Sequence, residues 1–290
     1  MNNIFNFGKR IELFLVNGNP DSIITAEMSN WNGKAIKIPR SEIQSCIRED
    51  LQKTGVYFLI CKEDDGSASV YIGEAENIKQ RLTNHIQDYN SGKESYYWVE
   101  TIIFIGNDLN KASIRYLENR LVEIAMSAGR VKVLTKNTFK NTTLKESEIS
   151  PLEEFIYNTK ILINALGYKI LEPVINKKVE TRELLYLKTT KADAIATITN
   201  EGFVVLKGST VSKGVTTSFS KDRRNITREK LIKEGIIKNL TFTQDYIFNS
   251  PSSAASIIRG NATNGPDKWI NKDGKSLNDL QKELETPLNC

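Results

Sequence analysis

The stretch from residue 55 to residue 72 leaves the backbone little choice. Gly55-Val56-Tyr57-Phe58-Leu59-Ile60-Cys61 is rich in β-branched and aromatic side chains, Asp64-Asp65-Gly66-Ser67 has turn chemistry, and Ser69-Val70-Tyr71-Ile72 resumes the strand pattern. Two adjacent antiparallel strands follow, with Tyr57 on one and Tyr71 on the other. A helix is expected over 77–89, a third strand over 98–105, and a second helix over 111–128 that stops at Gly129. A small antiparallel sheet flanked by helices is an α+β arrangement.

The flanks read differently. Residues 11–16, 23–28 and 35–38 are strand candidates separated by Asn17-Gly18-Asn19-Pro20 and Asn32-Gly33, and Ser41 is placed to cap a short helix over 42–51. Pro151 marks the start of a helix over 151–167 that ends at Gly167, and the Lys/Glu-rich stretch 177–191 reads as a linker. Beyond it, strands are expected at 195–199, 203–206 and 214–219, and helices at 228–234, 252–258 and 277–285. The resulting division is an amino-terminal β-rich extension (1–50), a central domain (51–148), a connecting helix and linker (149–191), and a separate carboxy-terminal α+β domain (192–290).

Composition narrows the chemistry. The 290 residues carry a net charge of +5, which permits a polyanionic partner. The three cysteines, Cys46, Cys61 and Cys290, form no paired motif and fit a reducing cytoplasm. The apolar run over 11–16 is too short to span a membrane. His85 is the only histidine, so multi-histidine metal centres and a second histidine-based site are excluded.

His85 lies four residues after Arg81, so the two stack on one flank of the first helix beside its apolar side. Read alone, they are equally a solvated arginine and a half-buried histidine. Glu118 falls at the edge of the apolar stripe of the second helix, where a carboxylate needs a partner: a cation such as Arg115, a donor, or a metal.

Taken together these residues resemble the GIY-YIG nuclease family. Gly55-Val56-Tyr57 stands for the first tripeptide with valine in place of isoleucine, Tyr71-Ile72-Gly73 matches the second intact, and Arg81, His85 and Glu118 match the helical positions. The family asparagine falls at Asn137, with Asn141 a competitor. The resemblance implies a DNA endonuclease cutting one strand per active site, with a homodimer one route to double-strand cuts. It implies one Mg2+ (or Mn2+) at Glu118, Arg81 meeting charge on the phosphorus, Tyr57 as general base, Tyr71 positioning water or phosphate, and Gly55 and Gly73 shaping the strands. Because a phenolate costs about 4 kcal/mol at neutral pH, His85 is expected to accept the Tyr57 proton, with activity falling below about pH 6.5. The alternative is a catalytically silent nucleic-acid-binding scaffold. Trp31-Asn32-Gly33, Lys207-Gly208-Ser209 and Ser250-Pro251-Ser252 resemble the flanks of a bacterial subgroup whose carboxy-terminal domain has no assigned function (DUF4357-like). That domain is similar to one accompanying restriction and DNA-methylation systems, and restriction, defence or repair are the settings implied. The basic stretch with Lys221, Arg223, Arg224, Arg228 and Lys230 is the candidate phosphate-backbone contact, and Trp269 is read as buried or as a base-stacking platform.

Overall fold

The computed structural model of the chain describes residues 8–63, 66–136, 143–173 and 183–285. The chain divides into two compact units, 1–173 and 174–290. The first contains β1 (Ile11–Leu15), β2 (Ile24–Met28), β3 (Lys34–Pro39), β4 (Gly55–Lys62), β5 (Ala68–Ala75), α1 (Ile78–Asn90), β6 (Trp98–Ile105), α2 (Lys111–Ala128), β7 (Lys132–Val133) and α3 (Glu146–Ala165). The fold is α+β.

The seven strands form one sheet in the order β1-β2-β3-β6-β4-β5-β7, with every neighbouring pair antiparallel except β5 and β7. Strand periodicity sends alternate side chains of β4 to opposite faces. Val56, Phe58 and Ile60 pack with Ile114, Leu117 and Leu121 of α2 and Phe155 of α3. Tyr57, Leu59 and Cys61 pack with Ile78, Leu82 and Ile86 of α1. The hairpin of β4 and β5 is therefore sandwiched between helices, and both of its faces have a core.

The amino-terminal β extension joins the central sheet directly. β3 pairs with β6 from Lys34↔Ile105 to Pro39↔Glu100, so β1, β2 and β3 extend the sheet that carries the tyrosines. The helix expected over 42–51 is replaced by two short 3-10 turns, Arg40–Glu42 and Glu49–Gln52. Ile43 and Leu51 are buried there, but Ile47 is 96% exposed, so no continuous apolar stripe exists to hold a helix down. α3 begins at Glu146, five residues before Pro151. The Glu148 carboxylate accepts the Lys145 N–H at 2.8 Å, a start signal that outweighs the proline cue.

The second unit contains β8 (Leu184–Lys188), β9 (Asp193–Thr199), β10 (Gly202–Val205), α4 (Arg223–Lys233), β11 (Ile237–Lys238), β12 (Thr241–Phe242), β13 (Tyr246–Phe248), α5 (Pro251–Arg259), α6 (Gly265–Lys268) and α7 (Leu277–Glu285). Its main sheet runs β13-β10-β9-β8. β8 lies within the stretch read as linker: Leu185 and Leu187 face the core although the stretch around the strand is rich in lysine and glutamate. No strand forms over 214–219, where Phe219 instead opens a 3-10 turn. Trp269 is fully buried against Phe203, with its indole N–H donated to the Pro251 carbonyl at 3.0 Å, so it stacks on no base. Among the described residues no helix is long and apolar enough to cross a membrane.

Candidate active site

β4 and β5 pair so that Tyr57 lies directly opposite Gly73. The glycine is required by this arrangement: a Cβ on residue 73 would sit 2.4 Å from the Tyr57 hydroxyl oxygen and 2.8 Å from the Tyr71 ring. Gly55 is hemmed in by backbone, where a Cβ would meet the Phe104 carbonyl oxygen at 2.3 Å. The two glycines thus let the strands and the Tyr57 ring approach more closely than any side chain allows.

α1 then presents its polar pair to this hairpin. The Asn77 side chain accepts the Gln80 N–H at 2.9 Å and fixes where the helix starts. One and two turns later, Arg81 and His85 reach the tyrosine. The Tyr57 hydroxyl lies 2.8 Å from His85 Nε2 and accepts from Arg81 Nε–H at 3.2 Å. Tyr71 completes the cluster, its ring 5.1 Å from the His85 ring and stacked at 5.7 Å on Tyr96. Tyr57 and His85 are both wholly buried.

A residue absent from the sequence reading sets the histidine. Glu94 Oε1 lies 2.7 Å from His85 Nδ1. The chain turns back at the end of α1 through Gly92 (φ +74°), and the Lys93 and Glu94 N–H groups are donated to the Asp88 carbonyl. That reversal carries Glu94 back along the helix to His85. The helix-stop pair Ser91-Gly92 is the signal in the sequence that could have pointed to it. A carboxylate at Nδ1 favours the tautomer with Nδ1–H donated to Glu94, leaving Nε2 as an acceptor for the Tyr57 O–H.

Electrostatics agree with that assignment. Burial holds the His85 imidazole down to about 3, reinforced by the Arg81 and Arg40 guanidiniums. Arg40 itself is packed on the rings of Tyr89, Tyr97 and Trp98. Burial and the two guanidiniums oppose imidazole protonation, against the Asp88 and Glu94 carboxylates, and so move the expected acid loss of activity below about pH 6.5. Burial raises the Tyr57 hydroxyl well above its ordinary value, with Tyr71 adding to the rise and Arg81 opposing it. A standing Tyr57 phenolate is thereby disfavoured, and its proton leaves only as another group takes it.

These shifts have a consequence for stability. A base whose folded pKa lies below its unfolded value of about 6.5 loses stability as pH falls through that interval, because only the unfolded chain takes the proton. Between pH 6.5 and pH 4 the expected cost at His85 is about 3 kcal/mol, since the folded imidazole resists protonation to about 3. Because Glu118 contributes in the opposite sense over this interval, the cost is read as a difference: between the two pH values the wild type should change by about 3 kcal/mol less favourably in urea unfolding than His85→Gln. Equal changes in both proteins would contradict it.

Glu118 belongs to the other side of the sheet, on α2. It is 4% exposed, and its Oε2 is buried with no hydrogen-bond partner. Burial and the neighbouring Glu74 carboxylate push it up to about 7, against the pull of Arg81, Lys111 and Arg115. Lys111 Nζ neutralises Glu74 at 3.1 Å. Glu118 in turn acts on both tyrosines. On β5, the Thr135 hydroxyl accepts the Ile72 N–H at 2.9 Å and donates to the Ile72 carbonyl at 2.8 Å, taking the place of a further backbone partner there. Among the described residues no three His, Cys, Asp or Glu side chains gather into a metal-binding group. The orphaned Glu118 oxygen fits a single divalent cation whose remaining ligands are water and substrate oxygens.

Asn137 and Asn141 lie outside the described residues. The basic stretch of the second unit does not form the stripe expected of it. α4 turns Asn225, Arg228 and Leu231 inward, and Arg228, 3% exposed, donates to the Ile257 and Ser212 carbonyls. Arg224 is paired with Asp222 at 2.5 Å and bonded to Ser256 at 2.9 Å. Lys221, Arg223 and Lys230 are exposed, and Lys230 stands 3.7 Å from Glu234. Arg224 and Arg228 therefore hold the domain together.

Two family models match the chain: one described as a GIY-YIG catalytic domain over residues 53–124, and one described as a domain of unknown function (DUF4357) over residues 185–281. No curated protein and no solved structure matches it. The first match spans every described residue of the cluster, and the second spans nearly the whole of the second sheet and its helices.

Proposed function

We propose that this chain, in which a GIY-YIG catalytic domain of nuclease type precedes a DUF4357 domain, is a metal-dependent DNA endonuclease that hydrolyses one strand per active site. The observation that carries the reading is the Tyr57 hydroxyl held between a neutral imidazole nitrogen at 2.8 Å and a guanidinium N–H at 3.2 Å. That geometry supports a concerted relay in which the Tyr57 oxygen removes a proton from water as its own proton passes to His85 Nε2, the charge so formed on the imidazole being met by the Glu94 carboxylate 2.7 Å from Nδ1. The water oxygen bonds to phosphorus as the bond to the 3′ oxygen breaks. Arg81, whose positive charge is stabilised by both tyrosines despite its burial, meets the charge that builds on the phosphoryl oxygens. Tyr71, against the His85 ring, bounds the space in which water and phosphate are aligned. A Mg2+ or Mn2+ ion at Glu118 would supply Lewis-acid stabilisation of the phosphoryl and leaving oxygens.

Glu94 enters this scheme as a positioning residue that keeps Nε2 free to accept. Glu94→Ala is expected to lower kcat by about 10²-fold with little change in KM, and Glu94→Asp to recover part of the loss. Equal kcat in wild type and Glu94→Ala would remove Glu94 from the relay.

One centre makes one nick, so a double-strand break takes a homodimer or two successive events. Restriction, defence or repair of DNA in the cytoplasm is the setting this activity fits. The test is cleavage of supercoiled plasmid and of single-stranded DNA with Mg2+ or Mn2+, beside an EDTA control. Metal-dependent conversion to nicked circles supports the reading. Binding without cleavage under every metal condition replaces it with a catalytically silent reader of nucleic acid.

A further inference from the structure

The second unit has a cavity of about 660 Å³ walled by β8, the end of α5 and the segment after α6. Its frame is fixed by backbone pairing: Tyr186 and Ile270 exchange N–H to carbonyl bonds at 2.7 and 3.0 Å. Four cations line it, Lys188, Arg259, Lys268 and Lys272, and no carboxylate does. Asp267 and Asp273 adjoin Lys268 and Lys272 in the chain but do not line the cavity, and Asp267 accepts from the Asn278 side chain at 3.1 Å. Asp193 stands 3.8 Å from Lys188 Nζ, and Glu183 accepts from the Asn271 side chain at 2.6 Å. Among the described residues Lys268 and Lys272 have no carboxylate partner, and both are exposed.

Beside these cations, with Thr189 and Asn271, the lining has an apolar part. Leu187 is buried at its floor, Tyr186 is half-buried, and Ile270 remains 40% exposed. Positive charge beside a partly uncovered aliphatic and aromatic surface calls for a ligand with an anionic edge and a flat apolar face. The volume falls within the range of about 300–1,000 Å³ typical of small-ligand sites. A nucleotide has that character, with phosphate for the lysines and base for Ile270 and the Tyr186 ring. A base in an intact duplex is stacked and paired and would have to be extruded to enter.

We propose that this cavity binds a nucleotide unit of an unpaired strand, and that it is the nucleic-acid contact of the second unit in place of α4. The proposal is independent of the nuclease reading, because binding is measured in EDTA, where no cleavage occurs. The full-length protein is titrated into a fluorescein-labelled single-stranded DNA oligonucleotide at low salt. Lys268→Glu/Lys272→Glu is expected to raise the dissociation constant about tenfold and to flatten its dependence on log salt by about two units. Both side chains are exposed, so the melting temperature should be unchanged, which separates lost binding from lost folding. Ile270→Asp should weaken the single strand and leave a duplex of the same sequence unaffected. Competition by deoxyadenosine monophosphate identifies the free nucleotide as sufficient, and its failure to compete identifies the strand as the ligand; both outcomes keep the site. Wild-type affinity for the single strand in the double variant overturns it. So does equal loss of single strand and duplex with Ile270→Asp silent, since that describes a general basic surface.

Discussion

Tyr57→Phe is expected to reduce single-turnover cleavage by about 10³-fold, within the range of general acid–base catalysis, while DNA affinity stays at the wild-type level. The substitution removes one oxygen from a ring that is wholly buried, so the β4–β5 hairpin keeps its shape. It deletes both the donor to His85 Nε2 and the acceptor for Arg81 Nε–H. Two buried polar groups then lose a partner, and stability should fall by about 1–3 kcal/mol. The variant is to be assayed well below its melting temperature, on supercoiled plasmid with Mg2+. A rate within threefold of wild type would show that water gives its proton to something other than Tyr57.

Glu118→Gln should move stability and activity in opposite directions. An ionised carboxylate buried beside Glu74, with one oxygen unpartnered, destabilises the metal-free fold. Its folded pKa of about 7 lies above the unfolded value. The folded protein therefore holds a proton between pH 4.5 and pH 7 that the unfolded chain has released, and stability falls as pH rises through that window. At pH 8 the full cost is present, about 1–2 kcal/mol after allowance for the solvent that reaches the site. The neutral amide avoids it, so Glu118→Gln should unfold at higher urea than wild type in EDTA at pH 8, with no advantage at pH 4.5. Cleavage should be abolished and the stabilising effect of added Mn2+ lost. A variant less stable than wild type at pH 8 would mean that Glu118 is a satisfied structural carboxylate.

What the sequence disclosed, and what it did not, follows from which interactions are local. The β4–β5 hairpin, α1 and α2 are written in short-range terms: strand alternation, the Asn77 and Asn110 caps, the Gly129 stop. Arg81 and His85 were placed together because a helix puts residues four apart on one side. Glu94 was invisible for the complementary reason. Its approach to His85 depends on the geometry of a reversal, which spacing along a helix does not report. Glu118 could be assigned to a core margin, but its position across the sheet from Tyr57 needs the full strand order. The basic stretch misled because charge was counted without the helix phase. Arg228 is three residues from Asn225 and from Leu231, and the phase that buries them buries it. Leu184 to Leu187 is a short apolar run inside a Lys/Glu-rich stretch, and composition averaged over the whole stretch hides it.

The solitary histidine gives the protein a built-in reporter. With one imidazole in the whole chain, and that one locked between a phenol and a carboxylate, every ring-nitrogen resonance in a 15N-histidine-labelled sample originates at the candidate site. The spectrum needs no assignment. Its chemical shifts distinguish a protonated Nδ1 from a protonated Nε2, and its hydroxyl-linked coupling follows the Tyr57 proton directly. Docking of a substrate, filling of the Glu118 position, or a slow opening of the cleft would each be read as movement of a single pair of lines.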